Sequence, residues 1–127
     1  HRGDFYFKGW KGDEQMSGGL LFNIGIHYFD LVSWLFGDMK SFLITDRDSK
    51  TEKGVLKFDN ALVLFTLSIA APMDNQIKRF TINGKNIDLS RHFEDLHTKV
   101  YEDIKNGIGV LPEEAGRAIE LVEELKN

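Results

Sequence analysis

The period of the apolar positions changes along the chain and predicts its elements. Residues 4–8 have the aromatic character of a strand, and the charged, glycine-rich segment 9–19 is typical of a loop. Residues 23–36 are apolar at almost every position, which predicts a helix that is buried nearly all round. Gly37 is a natural C-cap, so we expect the helix to end there.

Three strands are predicted after this helix, at about 40–47, 52–58 and 61–71. The sequence Phe58-Asp59-Asn60-Ala61 predicts a tight hairpin between the last two. In the third strand both alternating sets of side chains are largely apolar, which predicts a strand that is covered on both faces.

The second half of the chain predicts a further hairpin and two helices. Strands at 77–83 and 86–89 are joined by Asn83-Gly84, the favoured type I′ pair. A stripe of apolar residues predicts a helix over about 91–106, and Leu111-Pro112-Glu113-Glu114 begins the last helix. The order of these elements predicts an α+β fold, an open, mainly antiparallel sheet with helices on one face. Because the helices are too few to cover both faces, we expect the open face to pair with another subunit in a homo-oligomer.

Three polar side chains interrupt the apolar helix, at Asn23, His27 and Asp30. Their spacing of i, i+4 and i+7 places them on one line of a regular helix. Burial of an amide, an imidazole and a carboxylate is costly unless they satisfy one another or face a cavity. The stripe therefore predicts a functional site or a satisfied polar network in the core, and residue types alone leave both open.

The helix and its flanks resemble a known family. The string Ser17-Gly18-Gly19, Asn23, Gly25, His27, Asp30 and Trp34-Leu35-Phe36-Gly37 is similar to the GG-x3-D-x-G-x-H-x2-D signature of the Gfo/Idh/MocA oxidoreductases. Trp10-Lys11-Gly12-Asp13 and Phe93-Glu94-Asp95-Leu96-His97-Thr98-Lys99 resemble its UDP-N-acetylglucosaminuronate 3-dehydrogenase subgroup, which serves bacterial surface-sugar pathways. The resemblance implies a dihydrodipicolinate-reductase-like C-terminal domain, with the signature on the helix that meets the nicotinamide.

The resemblance gives His27 the role of the catalytic base or a closely related one, and imidazole as a side chain suits proton transfer near neutral pH. It acts there with a Lys from a Glu-Lys-Pro motif of the preceding domain. Asp30 is expected to support the ring of His27 or to tether the helix to the sheet. Many family members have Asp where this chain has Asn23. An amide cannot act as a base, so we expect Asn23 to position a sugar hydroxyl.

Further substrate contacts are expected from the flanking segments. Lys11 and Trp10 offer a cation and an aromatic face, which suit a carboxylate or diphosphate and a sugar or base ring. His97 matches the subgroup's Asp-Leu-His and either reaches the substrate or makes a buried hydrogen bond.

The glycines of the signature can also be explained by the backbone conformation and the close contacts that glycine permits. Gly18 and Gly19 permit the turn into the helix, and their amides favour a bound anion. Gly25 inside the helix costs about 1 kcal/mol relative to Ala, which indicates a close approach there. The approaching group is either the nicotinamide or substrate, or simply a tightly packed neighbour.

The chain lacks the parts of the family that hold the cofactor. No G-x-G-x-x-G opens a βαβ unit, no Glu-Lys-Pro occurs, and the sequence begins at His1. We therefore expect residues 1–127 to be a single substrate-binding and oligomerisation domain. An N-terminal Rossmann domain outside this chain would bind most of NAD or NADP, and the isolated chain would be inactive.

Composition limits the partners, metal sites and cellular locations that we expect. Sixteen basic and twenty acidic residues give a net charge of -4 without a basic cluster, which argues against nucleic acid. The absence of Cys excludes disulfides and thiolate metal sites, and the His-x-x-Asp pair lacks further ligands, so no metal is expected. No apolar stretch of membrane-spanning length and no signal peptide are recognised, so we expect no membrane contact and a cytoplasmic parent.

The expected function is NAD(P)-dependent oxidation of a sugar hydroxyl, at C3 of a UDP-N-acetyl sugar acid in surface polysaccharide biosynthesis. Two alternatives stay open. The parent could oxidise an unlinked sugar or polyol, or the chain could be a non-catalytic interaction domain that uses the apolar sheet face.

Overall fold

A computed structural model of the chain describes residues 8–70, 77–88, 102–109 and 112–127. The described part contains an open, antiparallel three-stranded sheet whose inner face packs against two helices. This arrangement confirms the predicted α+β class. The strands, in their order across the sheet, are β1 (Ser41–Arg47), β2 (Thr51–Lys57) and β3 (Leu62–Ser68).

Besides the helical residues 102–105, the described part contains three helices and a small hairpin. The helices are α1 (Glu14–Ser17), α2 (Ile26–Phe36) and α3 (Pro112–Lys126), and a wide π turn at Leu21–Gly25 leads into α2. The hairpin pairs β4 (Thr81–Ile82) with β5 (Lys85–Asn86). Residues 102–105 are helical, as predicted, whereas the rest of the helix predicted at 91–101 lies outside the described residues, as does the strand at 4–8 apart from residue 8.

The core lies between the sheet, the π turn, α2 and α3. Phe29 of α2 meets Phe65 of β3 edge to face, with 5.2 Å between ring centroids. Such a pair contributes about 0.5–1.5 kcal/mol beyond the area that it buries. The buried cluster comprises Leu21, Phe29, Val32, Leu56, Phe58, Leu67, Leu121, Val122 and Leu125.

The tight turns form where glycine and asparagine predicted them. Gly37 has φ +82°, and its N–H donates to Ser33 O at 2.9 Å, which closes α2. Phe58 N donates to Ala61 O at 2.9 Å in the hairpin between β2 and β3. Asn83 and Gly84 have φ of +50° and +76°, the positive values that a type I′ turn requires.

Several predicted boundaries are wrong. The loop expected at 9–19 contains a 3-10 turn at Trp10–Gly12 and the helix α1, because Asp13 Oδ1 accepts a hydrogen bond from Gln15 N at 2.9 Å and caps α1. The strands expected at 77–83 and 86–89 shorten to β4 and β5, whose pairing extends over only two residues on each side of the turn.

The helix expected at 23–36 begins earlier, at the π turn, and only one of its sides is buried. Leu21, Phe29 and Val32 are each 2% exposed, whereas His27 and Asp30 are exposed. The expectation of burial nearly all round is therefore wrong, because the sheet and α3 cover one side of the helix and nothing in the described chain covers the other.

The outer face of the sheet is also uncovered in the single chain. The strand register aligns Leu43, Val55 and Leu64 in one row across β1, β2 and β3. Leu43 is 63% exposed and Leu64 is 79% exposed. The two apolar faces predicted for β3 are thus present, and one of them lies open.

The sequence expectation about membrane-length segments needs correction. The helical run Gln15–Phe36 has 22 residues and contains an 18-residue window with a mean hydropathy of 1.3, which meets the length and composition of a membrane span. Gly18 and Gly19 interrupt it with φ of +76° and +74°, and its inner side packs in the core. A core helix passes the same test of length and composition, and 33% of the tested window is buried in this chain.

Candidate functional site

The candidate site begins at a glycine pair that redirects the chain into the π turn. Gly18 and Gly19 both have φ in the left-handed region, which favours glycine. A Cβ on Gly18 would also lie 2.5 Å from Phe22 Cδ2. The Gly19 N–H donates to Ser17 Oγ at 3.2 Å, so one of the amides expected to favour an anion is engaged within the chain.

Asn23 lies in the π turn, half-buried, and its amide nitrogen is used within the protein. Nδ2 donates to Gly19 O at 2.9 Å and makes a longer hydrogen bond of 3.4 Å to Lys11 O. A π turn is rare and occurs frequently at functional sites. Both hydrogen bonds that Nδ2 donates are therefore made to backbone carbonyls of this chain.

Trp10 and Lys11 lie on the 3-10 turn that Asn23 contacts. Trp10 is 57% exposed, and Lys11 Nζ lies 5.7 Å from the centroid of its ring. A cation at that distance is attracted to the ring face. The structure thus brings Trp10, Lys11, Asn23 and Gly19 together, and presents a cation and an aromatic surface to the outside.

His27 and Asp30 lie on the exposed side of α2, one and two turns beyond Asn23. Within the described residues their side chains form no hydrogen bond with each other, so His27 is not a core histidine satisfied by Asp30. The same helix also exposes Trp34, which is 80% accessible. An imidazole in this setting is open to a group brought from outside.

Gly25 is buried, and the close approach that its lack of a side chain permits is made by this chain. A Cβ at this position would lie 2.5 Å from Phe29 Cε2 and 2.8 Å from Leu67 Cδ1. Packing of α2 against β3 is thus sufficient to require glycine here.

The candidate residues form an open surface. A cavity of about 120 Å³ lies at the C-terminal end of α2, where α2 meets α3. In the part of the chain that the structure describes, the candidate residues of the signature lie outside its lining. The lining consists of Ser33, Gly37, Asp38, Met39, Arg117, Glu120, Leu121 and Glu124.

Two further expectations concern His97 and metal ligands. His97 lies outside the described residues. Among residues 8–70, 77–88, 102–109 and 112–127, no three His, Asp or Glu side chains are grouped as metal ligands would be. Sequence reasoning missed the carbonyls of Gly19 and Lys11 as partners of Asn23, because backbone acceptors have no signature in residue types.

The chain is similar to a protein family and to solved structures. Residues 2–120 match the family described as "Oxidoreductase family, C-terminal alpha/beta domain". The WlbA (WbpB) dehydrogenase from Thermus thermophilus, in complex with NAD and UDP-GlcNAcA, is 36% identical over 99% of this chain, with a TM-score of 0.82. A structure of the same dehydrogenase with NAD and alpha-ketoglutarate is 39% identical over 93% of this chain, with a TM-score of 0.78. The chain spans 43% and 41% of those two chains.

Proposed function

Because the chain belongs to the Gfo/Idh/MocA oxidoreductase family, as its C-terminal alpha/beta domain, we propose that it forms the substrate side of an NAD-dependent sugar dehydrogenase. The substrate that we propose is a UDP-N-acetyl sugar acid, oxidised at C3. The observations that carry the proposal are the exposure of His27 on α2 and the exposed Trp10 ring beside Lys11 on the turn that Asn23 contacts. The 36% identical relative was solved with NAD and UDP-GlcNAcA, which supports the substrate class.

His27 is the proposed catalytic residue. Oxidation of a secondary alcohol removes the hydroxyl proton as the hydrogen on carbon leaves with its electron pair. The exposed imidazole takes up the hydroxyl proton. A general base of this kind raises the rate by about 10²–10⁴-fold. Asp30, which is also exposed on α2, supports the protonated ring by its charge once substrate and the preceding domain cover this side of the helix.

The described residues fit one wall of a nicotinamide site. Nothing in the described chain covers the side of α2 that carries His27, so a planar ring and a substrate can reach it. When bound, NAD supplies the acceptor for the hydrogen and its electron pair. We assign its phosphates and ribose to an N-terminal Rossmann domain, because the sequence lacks a dinucleotide-binding turn. The isolated chain is then inactive, and the parent works in the cytoplasm.

Lys11 and Trp10 are the proposed contacts for the charged and ring parts of the substrate. With a net charge of -4, the chain attracts an anion only through individually placed cations. Lys11 is exposed and pre-placed beside an aromatic ring that can stack on a sugar or base. His97 remains a further proposed contact.

A 2-oxo dicarboxylate is a second ligand class that we propose for the parent. The 39% identical relative was solved with NAD and alpha-ketoglutarate. Its carboxylates need the same kind of cationic contact as a sugar carboxylate, so one site can accept both ligands.

The open face of the sheet is the proposed homo-oligomer interface. Leu43, Val55 and Leu64 form an apolar row, flanked by Leu62, which is 66% exposed. Exposed apolar patches of this kind mark interaction surfaces.

A substrate panel tests the proposed function. The full-length protein that contains this chain is supplied with NAD and with UDP-GlcNAcA, UDP-GlcNAc, free glucose or myo-inositol, and absorbance of the reduced nicotinamide is recorded. Reduction with UDP-GlcNAcA alone supports the proposal. Reduction with glucose or inositol in its place identifies an unlinked sugar or polyol as the substrate. Binding of NAD without reduction by any of the four contradicts the proposed substrate class, and no binding of NAD points to an interaction domain.

Variants of two lysines test the contact at the anionic end. Lys11→Ala is expected to raise KM for UDP-GlcNAcA about tenfold, the equivalent of one charged contact. Lys85→Ala, an exposed lysine of the second hairpin, is the matched control and is expected to leave KM unchanged. Equal effects of the two substitutions would exclude a specific contact by Lys11.

A further inference from the structure

We propose that Asn23 is a positioning residue. It holds the Trp10–Gly12 turn against the π turn at the start of the signature helix, the helix formed by that π turn and α2, and thereby places Lys11 and Trp10. Asn23 and Lys11 are 12 positions apart in the sequence, and Nδ2 of Asn23 joins them through Lys11 O. The same nitrogen donates to Gly19 O, four residues before it. Only the effect on substrate rests on the proposed function.

The chemistry of an amide suits this arrangement. Nδ2 carries two hydrogens, and the structure gives it two carbonyl acceptors, at 2.9 Å and 3.4 Å. A carboxylate of the same size has only acceptors, so an Asp at position 23 would set its oxygens against two carbonyl oxygens. The exchange of one amide for a carboxylate would therefore release the turn that Asn23 holds.

The turn depends on such a contact because it has no buried residue of its own. It is closed internally, since Gly12 N donates to Gly9 O at 3.0 Å and Asp13 N donates to Trp10 O at 3.2 Å. These bonds fix the shape of the turn but not its place on the helix. In the part of the chain that the structure describes, the side chain of Asn23 supplies the hydrogen bond that joins the turn to the signature helix.

Fluorescence of Trp10 provides the direct test. Residues 1–127 contain two tryptophans, so in a protein of these residues alone Trp34→Phe leaves Trp10 as the single reporter. In this background Asn23→Asp and Asn23→Ala remove the donors, while Asn23→Gln keeps an amide. Acrylamide quenching and anisotropy of Trp10 are measured for each protein, and circular dichroism and thermal unfolding establish that it is folded.

The expected result is greater quenching and lower anisotropy of Trp10 in N23D and N23A than in the W34F protein. Since Trp10 is already 57% exposed, full release raises its quenching by a factor of about two at most. N23Q is expected to fall between these variants and the W34F protein. If N23D does not fold, N23A decides the question. Unchanged Trp10 quenching in the folded N23A protein would overturn the proposal.

A second arm uses the full-length enzyme. If Asn23 acts through Lys11 and Trp10, N23A raises KM for UDP-GlcNAcA by about tenfold, as the loss of one charged contact would, and changes kcat far less. A loss of kcat at constant KM would instead place Asn23 at the reacting atoms and overturn the positioning role. Failure of the parent to oxidise any sugar would contradict the proposed function, and the fluorescence of Trp10 would still decide the role of Asn23.

Discussion

Arg47 and Glu52 face each other across the β1 and β2 pair, with 2.6 Å between Arg47 Nε and Glu52 Oε1. Glu52 is only 7% exposed. Arg47 Nη2 also donates to Leu125 O, at 2.6 Å, near the C-terminal end of α3. The guanidinium of Arg47 therefore joins β1, an edge strand of the sheet, to α3, which packs with α2 in the core.

Arg47→Ala is expected to lower the free energy of unfolding by about 1–3 kcal/mol, because it leaves the carboxylate of Glu52 buried without this partner. The loss is smaller than for a fully buried pair, since the Arg47 side chain is 40% exposed. Urea unfolding measures it.

Lys53→Ala is the matched control for the ion pair. Lys53 Nζ lies 2.9 Å from Asp46 Oδ2, and both side chains are about half exposed, at 46% and 49%. Such a pair contributes at most about 1 kcal/mol. Equal losses for the two variants would mean that burial of Glu52 does not matter.

Gly25→Ala is expected to destabilise the chain by about 1–3 kcal/mol, because its Cβ would lie within 2.8 Å of side-chain atoms of Phe29 and Leu67. Gly116→Ala in α3 is the control, since its Cβ meets nothing within 4 Å. Alanine should stabilise that helix by up to about 1 kcal/mol. Thermal unfolding of the two variants should shift in opposite directions, and a stabilised Gly25→Ala protein would refute the packing assigned to this glycine.

Leu64→Glu is expected to reduce the oligomeric state, because it places a charge in the centre of the apolar row on the open sheet face. Light scattering at high protein concentration measures the mass. Met16→Glu alters a residue of α1 that is 68% exposed, and should leave the mass unchanged. A monomeric unsubstituted protein would contradict the proposed interface.

Local residue chemistry predicted the parts of the fold that depend on local conformation. Gly37 ends α2 and Asn83-Gly84 forms its turn, because positive φ strongly favours these residue types. The alternating positions of β3 likewise predicted that both of its faces are apolar. The cap that Asp13 provides for α1 is not evident from the charged, glycine-rich composition of residues 9–19, which predicts a loop there.

Tertiary contacts determined what the sequence could not predict. The sequence of an apolar helix does not show which of its sides the rest of the fold covers. The sequence therefore predicts that His27 is buried, whereas the structure exposes it. Similarly, Asn23 was recognised as unusual, but its acceptors are backbone carbonyls that only the folded π turn and the Trp10–Gly12 turn bring within reach.

The central claim is that His27 is the base of a sugar dehydrogenase. A single-turnover measurement tests it most directly: the full-length protein, saturated with NAD, is mixed with UDP-GlcNAcA, and nicotinamide reduction is followed for His27→Ala and the unsubstituted enzyme. Because His27 is exposed, the substitution should leave thermal unfolding unchanged. The account predicts reduction that is slower by about 10²–10⁴-fold in the variant. Reduction at the unsubstituted rate in a folded, NAD-saturated His27→Ala protein would contradict it.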